Sequence, residues 1–377
     1  MSLLPTATDP ARIAVGDCLE TLRALPDCSI HCCVTSPPYY GLRDYGHVGQ
    51  IGLEPSPVDY VEKMIAVFRE VRRVLRDDGT LWLNLGDSYS AHGSGAAGKE
   101  LAHQGGAIAS RRAHRVEGMS IKQLLGMPWR VAFGLQSRGW ILRQDIIWAK
   151  PNPMPESVRD RCTKAHEYLF LLSKSPRYYF DAEAIKEPAV SGTATRVGGR
   201  NTSDRLQNAV KPQSGGLRPL ASSRNKRSVW PICPKPYKGA HFAVMPEGLI
   251  EPCILAGTSG RGCCPKCGAG WVRVIERERV ATRPGRETKA TGDTLTDGNR
   301  DPERHVTTSK TIGWEPDCKC EAAEPVPAVV LDPFGGSGTV GLVARRLNRL
   351  ALLCELNPEY ADLARGRCGV ISEPKGA

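Results

Sequence analysis

A serine followed by two prolines and two tyrosines is the first stretch with the residues for chemistry. The segment Thr35-Ser-Pro-Pro-Tyr-Tyr comes directly after the apolar run 30–34. Each proline removes a backbone donor and fixes φ, so the chain leaves the predicted strand along a rigid path. A hydroxyl and two aromatic rings are therefore held at the end of a strand. The segment is either a rigid turn that caps this strand or a site that presents the serine and the rings to a ligand.

A glycine-rich turn near the C-terminus is the second candidate. The turn 332–338 separates an apolar strand from a helix, and an acid, Glu355, follows at the end of the next strand. In dinucleotide-binding folds such glycines let the ligand approach the backbone, and an acid about 20 residues later binds the ribose hydroxyls. The glycines do not follow the G-x-G-x-x-G spacing, so the longer string Asp-Pro-Phe-x-Gly-Ser-Gly-Thr carries more information than the glycines alone.

Two cysteine pairs predict a metal site. Their four thiolates fit a tetrahedral structural zinc, and the alternative is a set of reduced surface cysteines. The four predicted ligands are Cys264, Cys267, Cys318 and Cys320. Cys263 and His305 are the substitutes if one ligand is misassigned. Other cysteines in apolar stretches are expected to pack in the core as small apolar groups: Cys18, Cys32, Cys33 and Cys354.

The positive charge is concentrated in one region. The formal net charge is +11, and residues 186–240 contain 11 Lys/Arg against 2 Asp/Glu. A solvated loop is the alternative, but interleaved Trp230 and Tyr237 favour contact with nucleic acid. A second irregular stretch, 88–120, also carries arginines. The candidate DNA-binding residues of the two stretches are Arg111, Arg112, Arg224, Lys226 and Arg227.

The elements that must position these residues follow βαβ grammar. Short apolar strands at 13–15, 30–34 and 80–85 alternate with helices at 19–25 and 57–76, and a further βαβ unit covers 329–368. A helix near 128–137 and strands at 145–148 and 168–172 lie between them, and the segment 175–180 reads as a strand that forms a hairpin with 168–172. This alternation predicts an α/β fold with a mostly parallel sheet.

The motifs and their order resemble one family. Asp-Pro-Phe-Gly-Gly-Ser-Gly-Thr at 332–339 resembles the S-adenosylmethionine loop of the DNA amino-methyltransferases, and Thr-Ser-Pro-Pro-Tyr at 35–39 resembles their catalytic motif. The segments 15–22 and 241–254 resemble the parts that hold the adenine and precede the cofactor loop. Because the catalytic motif comes first, the chain resembles the circularly permuted class called beta. The resemblance covers about 13–90, 121–185 and 228–370 and implies a Rossmann-like methyltransferase fold.

The resemblance also implies the cofactor site. Asp17 would bind the adenine amine and Glu355 the ribose hydroxyls, while Asp332, Phe334 and the loop would line the methionine side. The full set of implied cofactor-binding residues is Asp17, Cys18, Thr35, Phe242, Asp332, Pro333, Phe334, Gly335, Gly336, Ser337, Gly338, Thr339 and Glu355.

The family methylates an exocyclic amine of a base, which is a poor nucleophile because its lone pair is delocalised into the ring. By resemblance, the Ser36 hydroxyl and the Pro37 carbonyl would accept hydrogen bonds from the amine, and the prolines Pro37 and Pro38 would fix that geometry. Tyr39 would stack on a base flipped out of the duplex, and Tyr40 would either support it or face DNA. Both adenine N6 and cytosine N4 fit this chemistry, and the sequence leaves the two open.

The sequence therefore predicts a site-specific DNA methyltransferase, either solitary or part of a restriction-modification system. The alternatives are a non-catalytic zinc-containing DNA-binding protein and a methyltransferase acting on RNA or protein. Double-stranded DNA is the expected partner, and we also consider a homodimer and a separate restriction endonuclease. No membrane-spanning segment or signal peptide is recognisable, so a cytoplasmic protein is expected.

Four segments with distinct roles are expected along the chain. Residues 1–185 would form the catalytic half, with a loop insertion at 88–120, and 186–235 a basic target-recognition insertion. Residues 236–262 and 325–377 would form the cofactor-binding half. Residues 263–324 would form a cysteine-rich insertion that carries the zinc.

Overall fold

The computed structural model describes residues 3–42, 44–47, 49–90, 116–188, 223–234, 244–281, 305–321 and 323–370, without the side chains of 279–281 and 305–307. In chain order the strands are β1 (Ala11–Val15), β2 (Ile30–Thr35), β3 (Leu75–Leu85), β4 (Ile141–Ala149), β5 (His166–Ser173), β6 (Glu187–Pro188), β7 (Ser223–Arg224), β8 (Val229–Pro231), β9 (Trp271–Ala281), β10 (His305–Pro316), β11 (Val329–Asp332) and β12 (Leu350–Glu355). The α-helices are α1 (Cys18–Arg23), α2 (Pro57–Val74), α3 (Met127–Ser137), α4 (Glu247–Gly257), α5 (Thr339–Arg346) and α6 (Pro358–Cys368).

An eight-stranded sheet with the order β1-β12-β11-β2-β3-β5-β4-β8 forms the centre of the fold. Its strands pair in parallel except for β5, which runs antiparallel to both β3 and β4. β2 and β11 are almost continuously apolar and buried, as strands covered on both faces must be. The predicted mostly parallel α/β sheet is confirmed.

Local sequence signals explain where the helices begin. The Ser56 hydroxyl accepts from the backbone N–H of Asp59 at the start of α2, and Asp17 and Asn357 cap α1 and α6 in the same way. Residues spaced three or four apart on α2 face the sheet: Tyr60, Met64, Phe68 and Val71 are all buried. The caps at Asp17 and Asn357 fix the chain just after β1 and β12 end.

Two sequence-based expectations for single elements were wrong. Helix α2 ends at Val74 rather than at residue 76, and the chain enters β3 at once, so residues 77–79 belong to an irregular part of that strand. The segment 175–180 forms no strand, because its backbone is bound elsewhere: Tyr179 N donates to Asp78 O at 2.8 Å. The apolar run 168–172 pairs with β3 and β4 instead.

The chain divides into two compact units. The first comprises Met1–Ala184, Arg227–Val272 and Pro316–Ala377 and contains the eight-stranded sheet and helices α1–α6. The second comprises Ile185–Lys226 and Arg273–Glu315. In the second unit β6 and β7 pair antiparallel, with Glu187 opposite Arg224. All residues of the candidate catalytic, cofactor and metal sites described below belong to the first unit.

Candidate methyltransferase site and cysteine cluster

The serine-proline motif and the glycine loop meet at the carboxyl ends of two neighbouring strands. β2 and β11 are paired in parallel, with Cys33 beside Leu331, so the residues that follow them emerge at one edge of the sheet. Thr35 Oγ1 donates a 2.6 Å hydrogen bond to Asp332 Oδ1, and both side chains are buried. This bond fixes the residue before Ser36 to the first residue of the glycine loop.

Burial determines the charge of Asp332. Its desolvation raises the pKa to about 7, while the hydrogen bonds from Thr35 and from the backbone N–H of Phe334 oppose the rise. The negative charge of Glu355 adds to it. Near neutral pH this carboxyl therefore exchanges a proton, and a cation bound beside it would favour the ionised form.

Glu355 holds the glycine loop from the next strand. Its Oε2 accepts from Gly336 N at 2.7 Å, and its Oε1 accepts from Asn357 N at 2.9 Å. The end of β1 is close, since Gly16 N donates to the Glu355 carbonyl at 2.9 Å, and the next residue is Asp17. Carboxylates at the ends of β1, β11 and β12 thus face one edge of the sheet.

The glycine loop has a conformation that side chains would disturb. Gly338 has φ +80°, and a Cβ there would come within 2.8 Å of Ala364, so only glycine allows α6 to pack so closely. Arg367 Nη1 donates to the hydroxyls of Ser337 and Thr339 at 2.8 and 2.9 Å. These two hydroxyls, expected from sequence to face the cofactor, are therefore bound to α6.

The described residues fit an S-adenosylmethionine molecule at this edge. A Cβ on Gly16 or Gly336 would meet nothing within 4 Å, which leaves room beside the backbone at both loops. Glu355 keeps lone pairs for further donors, because each carboxylate oxygen can accept two hydrogen bonds.

The other residues implied in the cofactor site have varied surroundings. Cys18 begins α1, and burial raises its pKa to about 12. Phe334 packs at the edge of the core and Gly335 N donates to Cys354 O, whereas Phe242 lies outside the described residues.

Helix α2 holds the Pro-Pro segment in place. Tyr60 on α2 donates from its hydroxyl to the carbonyl of Pro38 at 2.8 Å. Tyr40 is only 2% exposed and its ring lies 5.6 Å from that of Tyr60. Of the two roles considered for Tyr40, the structure therefore supports the internal one.

A polar network beyond the motif was not predicted from the sequence. Tyr39 Oη lies 3.2 Å from Ser36 Oγ, 3.1 Å from Asn84 Oδ1 and 2.6 Å from Glu167 Oε2. The other oxygen of Glu167 accepts from Lys150 Nζ. Lys150 follows β4 and Glu167 lies at the start of β5. The sequence signal that could have pointed to them is a charged residue at the place where an apolar strand begins or ends.

The position of the Tyr39 ring depends on a glycine. A Cβ on Gly86 would come within 2.6 Å of Tyr39 Cε2. Burial and the neighbouring Glu167 carboxylate raise the pKa of Tyr39 well above its ordinary value. The phenol therefore stays protonated near neutral pH and acts as a hydrogen-bond donor.

The four predicted metal ligands lie together. The Sγ atoms of Cys264, Cys267, Cys318 and Cys320 are all within 4.8 Å of one another. None of the 14 cysteines, all of which fall within the described residues, forms a disulfide. Backbone N–H groups of residues 267 and 266 lower the pKa of Cys264 to about 6. Of the proposed substitutes, Cys263 is buried outside this group, and the side chain of His305 lies outside the described residues.

The cysteine cluster is tied to the sheet by two side chains from β2 and β3. Arg76, which also pairs with Asp78, donates to the carbonyl of Cys267, and His31 Nε2 lies 3.2 Å from the carbonyl of Gly268. His31 Nδ1 accepts from Val329 N at 3.0 Å, at the start of β11. Of the four core cysteines predicted from sequence, Cys32, Cys33 and Cys354 are fully buried, whereas Cys18 is only half-buried and packs against the core.

The basic residues singled out from the sequence have mixed surroundings. Arg224 forms a 2.9 Å ion pair with Glu187 within the second unit. Lys226 is half-buried and Arg227 is exposed. Arg111 and Arg112 lie outside the described residues.

A family model matches most of this chain. The model of the DNA methylases of the N6/N4 type matches residues 30–264 and 321–366, which include both motifs. The chain belongs to this DNA methylase family. The S-adenosylmethionine-dependent DNA methyltransferase that the motifs predict is thereby confirmed, and the non-catalytic alternative is not supported.

Two relatives are similar to this DNA methylase over most of both chains. The type II methyltransferase M.SmaI of Serratia marcescens is 40% identical over 94% of this chain and 90% of its own length. The type II methyltransferase M.Cfr9I of Citrobacter freundii is 38% identical over 96% of this chain and 89% of its own. The similarity therefore extends through the segments between the motifs.

A solved structure shares the fold of the methylase. The PvuII DNA methyltransferase, described as cytosine-N4-specific, superposes with a TM-score of 0.53 at 17% identity and covers 97% of this chain and 88% of the other. At this identity the likeness shows the methyltransferase fold alone. Among the described helices, none has the length and apolarity needed to cross a membrane.

Proposed function

We propose that this DNA methylase transfers a methyl group from S-adenosylmethionine to the exocyclic amine of a base that has been flipped out of duplex DNA. The observation that carries the proposal is the 2.6 Å bond between Thr35 and Asp332, which ties the serine-proline motif to the glycine loop. A methyl donor in the loop and an amine at the motif would then be neighbours. Adenine N6 and cytosine N4 both remain compatible with this arrangement.

The cofactor contributes an electrophilic methyl group, and the chain contributes binding and orientation. Glu355 would accept hydrogen bonds from the ribose hydroxyls and Asp17 one from the adenine amine. The buried Asp332 carboxyl, beside the loop, would favour a positively charged ligand when ionised. The catalytic motif follows β2 and the cofactor loop follows β11, and this chain order supports the circular permutation.

Ser36 and Pro37 would accept the two amine hydrogens. Such acceptors favour a pyramidal nitrogen whose lone pair can attack the methyl group, and the fixed Pro-Pro backbone needs little reorganisation. Pro38 is held by Tyr60, which supports this rigidity. Tyr39 would stack on the flipped base through its ring face while its hydroxyl stays bound to Glu167.

We also propose a structural zinc on the cysteine cluster. Around a zinc ion with Zn–S bonds of about 2.3 Å, tetrahedral sulfurs lie about 3.8 Å apart, and the four Sγ atoms here are within 4.8 Å. The bonds of Arg76 and His31 to this segment connect it to the sheet. The metal would thus stabilise the edge at which β2 and β3 begin.

For the partners, we propose double-stranded DNA contacted by the basic segment that includes Arg224, Lys226 and Arg227. Because the relatives are type II methyltransferases, we propose that a separate restriction endonuclease cuts the same sequence when it is unmethylated. The homodimer and the cytoplasmic location stay predictions.

Analysis of the product tests the proposed function. The purified protein is incubated with unmethylated plasmid DNA and S-adenosylmethionine labelled in the methyl group, and the DNA is digested to nucleosides for mass spectrometry. We expect label in N4-methylcytosine or N6-methyladenine, and the result also decides between the two bases. Label in 5-methylcytosine, or in added RNA or protein but not in DNA, would contradict the proposal.

A further inference from the structure

The hydroxyl of Ser36 can serve as an acceptor only if its own hydrogen points away from the target amine. A serine hydroxyl has one donor hydrogen and two lone pairs, and the hydrogen rotates toward the best acceptor nearby. If it pointed at the amine, it would compete with the amine hydrogens. The neighbours of Ser36 therefore decide what this oxygen presents to the substrate.

Tyr39 is the neighbour that takes this hydrogen. Ser36 Oγ donates to Tyr39 Oη at 3.2 Å. Tyr39 must then donate its own hydroxyl hydrogen to a different oxygen. Two oxygens compete for the Tyr39 hydrogen: Glu167 Oε2 at 2.6 Å and Asn84 Oδ1 at 3.1 Å. The carboxylate is the nearer of the two and carries the charge, so it makes the stronger bond.

Glu167 is itself fixed from both sides. Lys150 pairs with its Oε1, and Asn84 Nδ2 donates to its Oε2 at 3.2 Å. The side chains of Lys150 and Glu167 are only 21% and 15% exposed, so the pair is partly shielded from water. Lys150 Nζ also lies 4.4 Å above the ring of Trp148, which limits its freedom further.

We infer that Glu167, anchored by Lys150, is a positioning residue that orders the hydroxyl hydrogens of Tyr39 and Ser36 so that Ser36 Oγ faces the target amine with its lone pairs. The hydrogens then point in one direction, from Ser36 to Tyr39 and from Tyr39 to Glu167. This inference rests on the proposed function, because it concerns the acceptor in the amine-methylating step. It adds Lys150, directly after β4, and Glu167 on β5 to a site otherwise built from the residues that follow β2 and β11.

Three variants test the chain of hydrogen bonds. Glu167→Gln offers a neutral and weaker acceptor of nearly the same shape, and Tyr39→Phe keeps the ring but removes the hydroxyl. The double variant, Glu167→Gln with Tyr39→Phe, lacks both the carboxylate and the tyrosine hydroxyl. The matched control is Glu70→Gln, because Glu70 is a carboxylate of similar exposure, 14%, that pairs with Arg73 on α2 away from the site.

The measurements separate positioning from folding and from binding. Single-turnover methyl transfer to plasmid DNA is measured at saturating cofactor, together with the Kd for S-adenosylmethionine and the melting temperature. We expect each single variant to lose about tenfold to a hundredfold in rate, with cofactor Kd and melting temperature close to those of the parent. The double variant should be no slower than the worse single variant within about threefold, because both act through one chain.

The outcomes are distinguishable. Rates of Glu167→Gln within twofold of the parent, or losses that multiply in the double variant, would overturn this inference while leaving the proposed function intact. Rate losses matched by Glu70→Gln would also overturn it. A parent that transfers no methyl group to an exocyclic amine would contradict the proposed function and this inference together.

Discussion

Thr35 Oγ1 lies 2.6 Å from Asp332 Oδ1, although the two residues are 297 positions apart in the chain. The parallel pairing of β2 with β11 brings them together, and the residues that follow each of them carry the two motifs of the DNA methylase family. The site is therefore assembled from opposite ends of the sequence by one strand pair.

Asp332 should make the stability of the fold depend on pH. Its folded-state pKa is raised by burial from 3.8 to about 7, so between these values the folded state binds more protons than the unfolded state. The stabilising contribution is full below about pH 4 and is lost as the pH rises through about 7, by an amount on the order of a few kcal/mol.

Urea unfolding of the parent and of Asp332→Asn checks this dependence. Asparagine keeps an acceptor for Thr35 but does not titrate. The free energy of unfolding of the parent, minus that of the variant, should decrease from pH 4 to pH 7.5. A difference that stays constant over this range would show that burial does not raise the pKa of Asp332.

Glu355 should control cofactor affinity. Glu355→Ala removes both the proposed ribose acceptors and the bonds to Gly336 N and Asn357 N, and losing bonds to a charged group costs about 1.5–3 kcal/mol. We expect the Kd for S-adenosylmethionine, measured by calorimetry, to rise at least tenfold. Glu359→Ala, at an exposed position of α6, is the control and should bind like the parent. Equal affinity in Glu355→Ala and the parent would reject the assignment.

The cysteine cluster should hold one zinc ion per chain. Elemental analysis of protein purified without chelator should detect it, and chelation should lower the melting temperature because the metal ties together segments with little core of their own. Cys320→Ser should lose the metal, whereas Cys162→Ser, at an exposed cysteine outside the cluster, should retain it. Parent protein that contains no zinc would exclude the site.

The basic segment should carry part of the affinity for DNA. Replacing Arg224, Lys226 and Arg227 by Gln should weaken DNA binding and flatten its salt dependence by about 0.9 in slope per lost phosphate contact. Neutral rather than acidic replacements avoid a second carboxylate beside Glu187.

The control for this experiment removes the same charge elsewhere. Arg69, Arg138 and Arg177 are exposed by 70%, 61% and 90%, and their replacement by Gln should change the salt slope less. If both triple variants bind DNA with the slope of the parent, another segment of the chain contacts the phosphates.

The parallel part of the fold could be predicted because each of its elements has a local signal. Apolar runs marked β1, β2, β11 and β12, and helical spacing marked α2. The position of β5 could not be predicted in this way, because an apolar strand pairs equally well with several neighbours. The sequence suggested the segment 175–180 as the pairing partner of β5, whereas β5 pairs with β3 and β4 in the structure.

The site residues also differ in how far the sequence alone could predict them. Ser36 and Asp332 could be proposed from sequence because each lies in a contiguous motif, and Glu355 because it ends the strand that follows the glycine loop. Glu167 and Lys150 could not, because their proposed role depends on contacts across strands. The register that sets Trp148 opposite Glu167, and so brings Lys150 to the carboxylate, is a property of the folded sheet.

The rate of methyl transfer by Ser36→Ala tests most directly whether the Ser36 hydroxyl accepts a hydrogen bond from the target amine. Single-turnover transfer to DNA is measured beside the Kd for S-adenosylmethionine, with Ser29→Ala as the control, because the Ser29 hydroxyl donates to Pro26 O at 2.8 Å and takes no part in the site. We expect a rate about a hundredfold lower for Ser36→Ala, with cofactor affinity unchanged and the control equal to the parent. A Ser36→Ala variant that methylates DNA within twofold of the parental rate would contradict the assignment of this serine as the acceptor for the target amine.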